Sequence, residues 1–501
     1  MMNKMFVLDA AHMMTADEGT IKKLDINQDV LMEKAALAVA ERVKLFDCHR
    51  VLCVCGVGNN GADAIAVARI LLMQGICAEV YLCAEPDKSK EAVLKQYNIF
   101  KNVGGVTVTT TDFEEYDIIV DGIFGIGIKR EVEGIYAKAV KAIDKAKENG
   151  SKVIAIDIPS GIHTDRGVVL GMAVKADETV TFGYLKPGHL LYPGAEYCGK
   201  VTVADIGIYH KYFYDEKELH CFTVPAVGSI DLPKRKRNGN KGSFGRVLVI
   251  AGSATMYGAC YLSALAALRM GAGLVDIYTH EVNSILVRSM LPEGIVHTYD
   301  NEGYNKAELQ ELMNRADCVV LGPGLSTEGV ATELVAFVLE HCEKNIVTDA
   351  DALNCIAMEK QLLSTQKKFV EREMIITPHP GELSRLTGLT VNELKENYIE
   401  NIRAFAKEYR LIVVGKGAGT VVSDGEKVYL NQTGNDGMAT AGSGDVLSGI
   451  IGALCAGKMK AFEAAWKGVF LHGKAGDKAI ETSNTHSLMA GDIADALKEI
   501  L

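Results

Sequence analysis

Long apolar runs, paired cysteines and surplus positive charge are all missing from this 501-residue chain, which also has a single tryptophan and only ten prolines. No segment reaches the roughly 20 uncharged apolar residues that a membrane-spanning helix needs. The N-terminal MMNKMFVLDAAHMMTADEGT turns polar too soon for a signal peptide, so a cytoplasmic protein is expected. The twelve cysteines form no CxxC pair and no repeating framework, which makes zinc and disulfide scaffolds minor readings and reduced thiols the main one. Cys53 and Cys55 alternate along an apolar run, as one buried strand face requires. A net charge of −11 argues against non-specific nucleic-acid binding, which needs clustered Lys and Arg. The one basic run, Lys234-Arg235-Lys236-Arg237, reads as a solvated linker. A GxxxxGK(S/T) phosphate loop is absent too, which counts against a P-loop enzyme.

What the chain does have is length and glycine-rich loops behind apolar strands. It is too long for one hydrophobic core, so two domains are expected. In the first half, Thr15-Ala-Asp-Glu18 reads as a capping box opening a helix, and Val30 to Phe46 has helical spacing. Arg50 to Cys55 reads as a strand, followed by a glycine turn over Gly56 to Asp63 and a helix from Ala64 to Gln74. Further strands are expected at Glu79 to Cys83, Ile118 to Asp121, Val153 to Asp157 and Thr179 to Phe182, with a helical stretch at Tyr136 to Glu148. This alternation predicts a largely parallel sheet with helices on both faces. Ligands bind such sheets beyond the carboxyl ends of the strands. Three loops there, Gly56 to Asp63, Asp121 to Glu131 and Asp157 to Gly161, should converge.

Periodicity breaks from Ile208 to Asn240, which places the boundary between domains of residues 1–216 and 224–501. Strands are expected again at Val247 to Ala251, Leu274 to Tyr278, Cys318 to Leu321, Asn345 to Thr348, Met374 to Ile376 and Leu411 to Val414. A small-residue helix should run from Tyr257 to Met270, and a hairpin from Thr420 to Leu430. The stretch Thr433 to Gly449 stands out. In it, Ala441-Gly442-Ser443-Gly444-Asp445 lies where a helix should begin, and unpaired N–H groups at a helix start favour an anion such as phosphate. Asp445 could then take a proton from an attacking hydroxyl; the plainer alternative is a glycine turn in which Asp445 only favours the helix start.

The first half, through Leu31-Met32-Glu33-Lys34-Ala35, Asn59-Asn-Gly-Ala-Asp63, Asp121-Gly-Ile-Phe-Gly-Ile-Gly127 and Asp157-Ile-Pro-Ser-Gly161, resembles the NAD(P)H-hydrate epimerases. That resemblance implies a potassium ion on Asn60, Asp121 and Ser160, with oxygen ligands that suit a hard cation. It also implies that Asn59, Asn60, Gly61, Ala62 and Asp63, with Gly125, Ile126, Gly127, Ile128, Lys129, Arg130 and Glu131, hold a hydrated dinucleotide. Asp157 would be catalytic and face its reacting ring. Ala62 and Ala64 replace glycines of the family pattern; their methyls could narrow the pocket but are expected to be tolerated because both residues open the helix.

The second half carries NKGxFG, GPGL, DADALN, TPHPGE, KGxGT and TGNxGMATxGxGDVLSG in order, and is similar to the ribokinase-like NAD(P)H-hydrate dehydratases. The implied fold class is α/β, with a Rossmann-like N-terminal and a ribokinase-like C-terminal domain. Ala259, Gly324, His379 and Asp445 would line the hydrated-nicotinamide site, with Asp445 as base. Lys416, Gly417, Ala418, Gly419, Thr420 and Gly444 would hold ADP or ATP. Alone, His379 reads as a structural histidine between two prolines. Glu382, Asp349 and Asp351 either orient Mg2+ or cap helices. The implied enzyme epimerises and dehydrates NADHX and NADPHX, the hydrated reduced dinucleotides, and forms a homo-oligomer. The alternatives are a vitamin-precursor or sugar kinase fused to a dinucleotide-binding module, and a non-enzymatic scaffold.

Overall fold

The computed structural model describes residues 4–215 and 218–501, so the expected domain end at 216 lies outside the described residues. The chain divides into two compact units. The first is Phe6–Cys221; the second contains Phe222–Leu501 and Met5.

The first unit is built on a seven-stranded parallel sheet. Its order is Val106–Val108, Cys77–Leu82, Arg50–Cys55, Ile118–Gly122, Lys152–Ile156, Glu178–Phe182 and Lys200–Ala204. Its inner strands are almost continuously apolar because both faces are covered. Val51, Cys53 and Cys55 turn to one core with Val39, Ile65 and Ala68, while Leu52 and Val54 turn to another with Val140 and Ile143. Both cysteines are free and buried on the same face.

Two boundaries depart from the expected ones. The first helix runs Ala10–Lys22 and is capped by Asp9, which accepts the His12 N–H, so Thr15 lies inside it and opens nothing; its hydroxyl donates to the Ala11 carbonyl. The spacing of a capping box also occurs by chance within helices, and the stronger cap upstream prevails. The helix expected from Ala64 starts at Asn59 and runs to Met73, so the glycine turn is confined to Gly56–Gly58 and the motif is the helix's own first turn. Two close approaches fix it there. A Cβ on Gly56 would lie 1.9 Å from the Ile123 carbonyl oxygen, and one on Gly61 would lie 2.0 Å from that of Gly56.

The second unit carries an eleven-stranded sheet. From one edge it runs Met5–Phe6, Cys221–Thr223, Val428–Leu430, Val421–Ser423, Ile412–Gly415, Met374–Ile376, Asn345–Thr348, Cys318–Leu321, Arg246–Ile250, Leu274–His280 and Ile295–Tyr299. The strands from Ile412–Gly415 to Ile295–Tyr299 pair in parallel, and the hairpin Val421–Leu430 adds two antiparallel strands. The second unit takes up Phe222 and Thr223, which the sequence reading left in the linker. Phe222 packs edge-on to Trp466, and Tyr429 lies beside both rings. The indole of Trp466 is fully buried. The helix Tyr257–Arg269 lies against Ser443–Ala456, where Gly449 allows contact: a Cβ there would stand 2.1 Å from the Ser263 carbonyl oxygen. Among the described residues no helix is long and apolar enough to cross a membrane.

Candidate active sites

In the first unit the three strand-end loops meet. Asn60 donates from Nδ2 to the carbonyls of Phe124 (2.9 Å) and Ile156 (3.2 Å). The Ser160 hydroxyl donates to Asp121 Oδ1 at 2.6 Å, its N–H reaches Oδ2 at 2.8 Å, and the Phe124 N–H donates to Ser160 Oγ. Asp121 is completely buried, no Lys or Arg among the described residues pairs with it, and burial pushes its pKa up to about 6 despite the Ser160 and Ile123 hydrogen bonds. A buried carboxylate beside an amide, a hydroxyl and a carbonyl oxygen, lacking a cationic side chain, is a donor set that fits a hard monovalent cation. Asn60 could offer such an ion only its Oδ1, since Nδ2 is engaged by the Phe124 and Ile156 carbonyls.

Beside this cluster opens a cavity of about 880 Å³. Asn59, Asn60, Asp63, Gly125, Ile126, Gly127, Ile128, Lys129, Arg130 and Asp157 line it, whereas Gly61, Ala62 and Glu131 do not. The two alanine methyls point into the core rather than the cavity, which removes any narrowing. Ala62 and Ala64 are wholly buried, and a Cβ on Gly122 would come within 2.4 Å of the Ala64 methyl, so Ala64 fits because position 122 is bare.

Asp157 sits just past the end of its strand with φ 67°, a left-handed conformation that costs a non-glycine residue about 1 kcal/mol or more. Its Oδ1 accepts from Lys186 Nζ at 2.6 Å and from Thr181 Oγ1 at 2.9 Å, and its carbonyl lies 2.8 Å from His189 Nε2. Burial would raise the Asp157 pKa, but the adjacent Lys186, aided by His189 and Thr181, holds it below the usual value. Among the described residues Asp63 has no such cation, and burial together with Asp157 and Asp17 pushes it well up. Asp17 and Lys186 also line the cavity, and neither is among the site residues expected from the sequence. Lys186 follows the strand Glu178–Phe182, a fourth strand end that the rule used for the other three would have found.

In the second unit the helix Ser443–Ala456 starts at Gly442, whose φ of 88° suits glycine. Asp445 therefore occupies the first turn, where N–H groups lack intrahelical partners. No side chain among the described residues donates a hydrogen bond to its carboxylate, and burial, then Asp349, push its pKa up to about 7 against the pull of Lys416. Lys416 Nζ lies 2.7 Å from Asp349 Oδ1 and 3.2 Å from the place a Cβ on Gly444 would take. Burial would lower the Lys416 pKa, but Asp349, Glu382 and Asp445 overcome it and hold it above the usual value. Gly417 and Ala418 are exposed at the loop tip, with Gly419 beside them. Thr420 closes the loop, its hydroxyl donating to the Gly417 carbonyl at 2.8 Å.

Gly324 comes against Ala259: a Cβ on the glycine would be 2.7 Å from the alanine methyl. That helix reaches the Asp445 loop, since the Ser263 hydroxyl donates to the Asp445 carbonyl. His379 serves the structural role, and its Nε2 lies 3.3 Å from Glu382 Oε1. It caps the helix Pro380–Thr387 through Nδ1, which accepts from Gly381 and Glu382, while half of its side chain is exposed. Burial, then Lys416, lower its pKa, favouring a neutral ring.

The three carboxylates left open between magnesium and capping each have protein donors. Asp349 accepts from Lys416, Ser448 Oγ (2.6 Å) and the Ala350 N–H, Asp351 from the Ser326 N–H and Asn354, and Glu382 from the His379 N–H. Each therefore has an anchoring or capping contact in this structure.

Residues 247–499 match the family model described as NAD(P)H-hydrate dehydratase, and residues 28–188 the model described as YjeF-related protein N-terminus. The chain is 36% identical to the bifunctional NAD(P)H-hydrate repair enzyme of Moorella thermoacetica over 99% of this chain and 97% of that one. The chain belongs to the family of bifunctional NAD(P)H-hydrate repair enzymes. The Escherichia coli member of this family is 34% identical over 91% of this chain and 85% of its own. A solved ADP/ATP-dependent NAD(P)H-hydrate dehydratase from Bacillus subtilis, co-crystallized with ATP and Mg2+, is 30% identical with a TM-score of 0.47, covering 54% of this chain and 93% of that one. The whole-length family matches support a repair enzyme, with isomerase and lyase activities, over a vitamin-precursor or sugar kinase fused to a dinucleotide-binding module or a scaffold.

Proposed function

We propose that the first unit epimerises NADHX and NADPHX and that the second dehydrates the S epimer to NAD(P)H, consuming ADP, or ATP, as phosphoryl donor. The observation that carries the dehydratase reading is Asp445. It is a carboxylate that receives no side-chain hydrogen bond among the described residues, with its pKa pushed up to about 7, in the first turn of a glycine-opened helix and within the field of Lys416. A base poised near working pH can take the substrate hydroxyl's proton as its oxygen attacks the terminal phosphorus. The N–H groups of Gly442 and Gly444 and the Lys416 ammonium then face the phosphates. Once phosphorylated, that oxygen leaves as phosphate, pushed by the ring nitrogen's electron pair, and a proton departs from the neighbouring carbon. Hydroxide is a poor leaving group and phosphate a good one, which accounts for a dehydratase on a kinase scaffold.

Ala259, Gly324 and His379 would receive the hydrated ring, and Lys416 to Thr420 with Gly444 the adenine nucleotide. Magnesium would enter with the nucleotide's phosphates, whose charge it neutralises. In the first unit Asn60, Asp121 and Ser160 would hold potassium, an electrostatic and structural support to the loops around the cavity. A cytoplasmic homo-oligomer with separable domains near residues 1–216 and 224–501 completes the reading. The test is incubation of the purified chain with mixed NADHX epimers and ADP or ATP, following dihydronicotinamide absorbance and released phosphate. Recovery of NADH only with nucleotide, and from both epimers, is expected. Stable phosphorylated product would instead mark a kinase.

A further inference from the structure

The first unit's cavity contains more proton chemistry than a binding site needs. Asp63 and Asp157 both line it, and their surroundings are opposite. Lys186 is 1% exposed, and its Nζ is directed to Asp157 Oδ1 (2.6 Å), Thr181 Oγ1 (2.7 Å) and the Phe182 carbonyl (3.1 Å), which uses its three hydrogens on the protein. Lys186 therefore has no proton free for a ligand and serves to fix Asp157. The other oxygen of Asp157 receives no donor from the described side chains. Asp63, in the second turn of Asn59–Met73, is nearly fully enclosed, and no described side chain hydrogen-bonds or ion-pairs with it.

Resting on the epimerase reading above, we infer that Asp157 and Asp63 are the base and the acid of epimerisation, with Lys186 as the positioning residue that keeps Asp157 anionic, and that the bond broken is carbon–nitrogen. The pKa directions agree: burial with Asp157 and Asp17 raises Asp63, while Lys186 overcomes burial at Asp157. Pairs of carboxyls whose surroundings push them apart divide into acid and base. The charged and titratable groups facing the pair are Lys186, His189, whose pKa burial lowers to about 4, and Asp17, raised by burial and Asp157.

The choice of bond follows from the second unit. Hydration of the reduced ring's enamine places the hydroxyl on the carbon bonded to the ring nitrogen. If the first unit expelled that hydroxyl, the resulting cation would lose a neighbouring proton and become NAD(P)H without any nucleotide. A nucleotide-driven dehydratase would then be redundant. The step that inverts the carbon without this outcome opens the ring. Asp157 takes the hydroxyl proton, the oxygen's electrons form a carbonyl, the carbon–nitrogen bond breaks with its pair on nitrogen, and Asp63 protonates that nitrogen. The aldehyde turns its other face, the nitrogen attacks it, Asp63 recovers its proton from nitrogen and Asp157 returns its own to oxygen. No oxidant or co-reactant is consumed.

The test uses the full chain, single purified epimers and no nucleotide, in water enriched in 18O. Asp63→Asn should lower the epimerisation rate by on the order of 10²- to 10⁴-fold, while binding of intact NADPH, measured by calorimetry, persists. Lys186→Met should displace the acidic limb of kcat/KM to higher pH, with activity recovering on the alkaline side; a purely structural role gives a loss equal at every pH. Inversion should outpace entry of label. Near-parental turnover by Asp63→Asn, an equal loss with Asp17→Asn, an undisplaced Lys186→Met profile, or label entering once per inversion would each overturn the inference. A parental chain that fails to interconvert the epimers would sink the epimerase reading itself.

Discussion

Each unit buries a lysine–aspartate pair at its strand ends, at nearly equal distances of 2.6 and 2.7 Å, and the pairs are opposite in what they expose. In the first unit the lysine is the hidden partner, Lys186 at 1% side-chain exposure, and the carboxylate of Asp157, at 12%, lines the cavity. In the second the carboxylate of Asp349 is hidden at 1%, and Lys416, at 21%, stands beside Gly444. A buried ion pair contributes little net stability, because desolvation offsets much of the attraction, but it holds the exposed member in place with its charge fixed. One pair thus presents an anion, suited to proton abstraction from a neutral hydroxyl. The other presents a cation, suited to phosphate.

The sharpest way to break this contrast is Asp445→Asn, which removes the base and leaves the cation. Dehydration should fall by on the order of 10²- to 10⁴-fold while calorimetric titration still shows nucleotide binding and epimerisation continues. Asparagine caps helices almost as well as aspartate, so near-normal phosphate release would return the loop to a turn.

Next in size is Asp349→Ala. It strips Lys416 of its anchor and should destabilise the second unit by about 3 kcal/mol, the low end for breaking a buried pair because Lys416 can turn to solvent. Nucleotide affinity should fall with it. A denaturant midpoint equal to the parent's would show that Asp349 anchors nothing.

A smaller effect is expected from Asp121→Ala, which should weaken potassium activation of epimerisation by at least about ten-fold and leave dehydration untouched. Equal potassium dependence in parent and variant would remove the cation from this cluster.

Acidity should separate the units most gently. Asp445, raised to about 7, is protonated as pH falls through that value, so kcat/KM for dehydration should drop below neutrality. Asp157 is held below the usual carboxylate value, so its charge survives to lower pH. The ratio of epimerisation to dehydration should therefore rise on acidification, and parallel acid limbs would contradict the assignment of one base or the other.

The inner strands were legible in the sequence because parallel strands covered on both faces are unbroken apolar runs, as Arg50–Cys55 and Cys318–Leu321 are. Val106–Val108, Lys200–Ala204 and Ile295–Tyr299 escaped because edge strands are half-exposed and carry polar residues, so their pattern merges with the loops. The glycine and aspartate positions at strand ends were legible from local chemistry. Ser448 was not, and of Lys186 only the strand-end position was, since the role of each is defined by the carboxylate it meets, and those carboxylates lie 99 and 29 residues away along the chain.

The single tryptophan gives the molecule an optical asymmetry. Trp466 is sealed in the core of the second unit against Phe222 and Tyr429, and the first unit has no indole. Intrinsic indole emission is therefore a private channel: it reports the melting of the dehydratase unit and is blind to the epimerase unit, whose unfolding registers in circular dichroism. Where the two signals diverge in one heating scan, the stabilities of the two units can be read from an uncut, unlabelled chain.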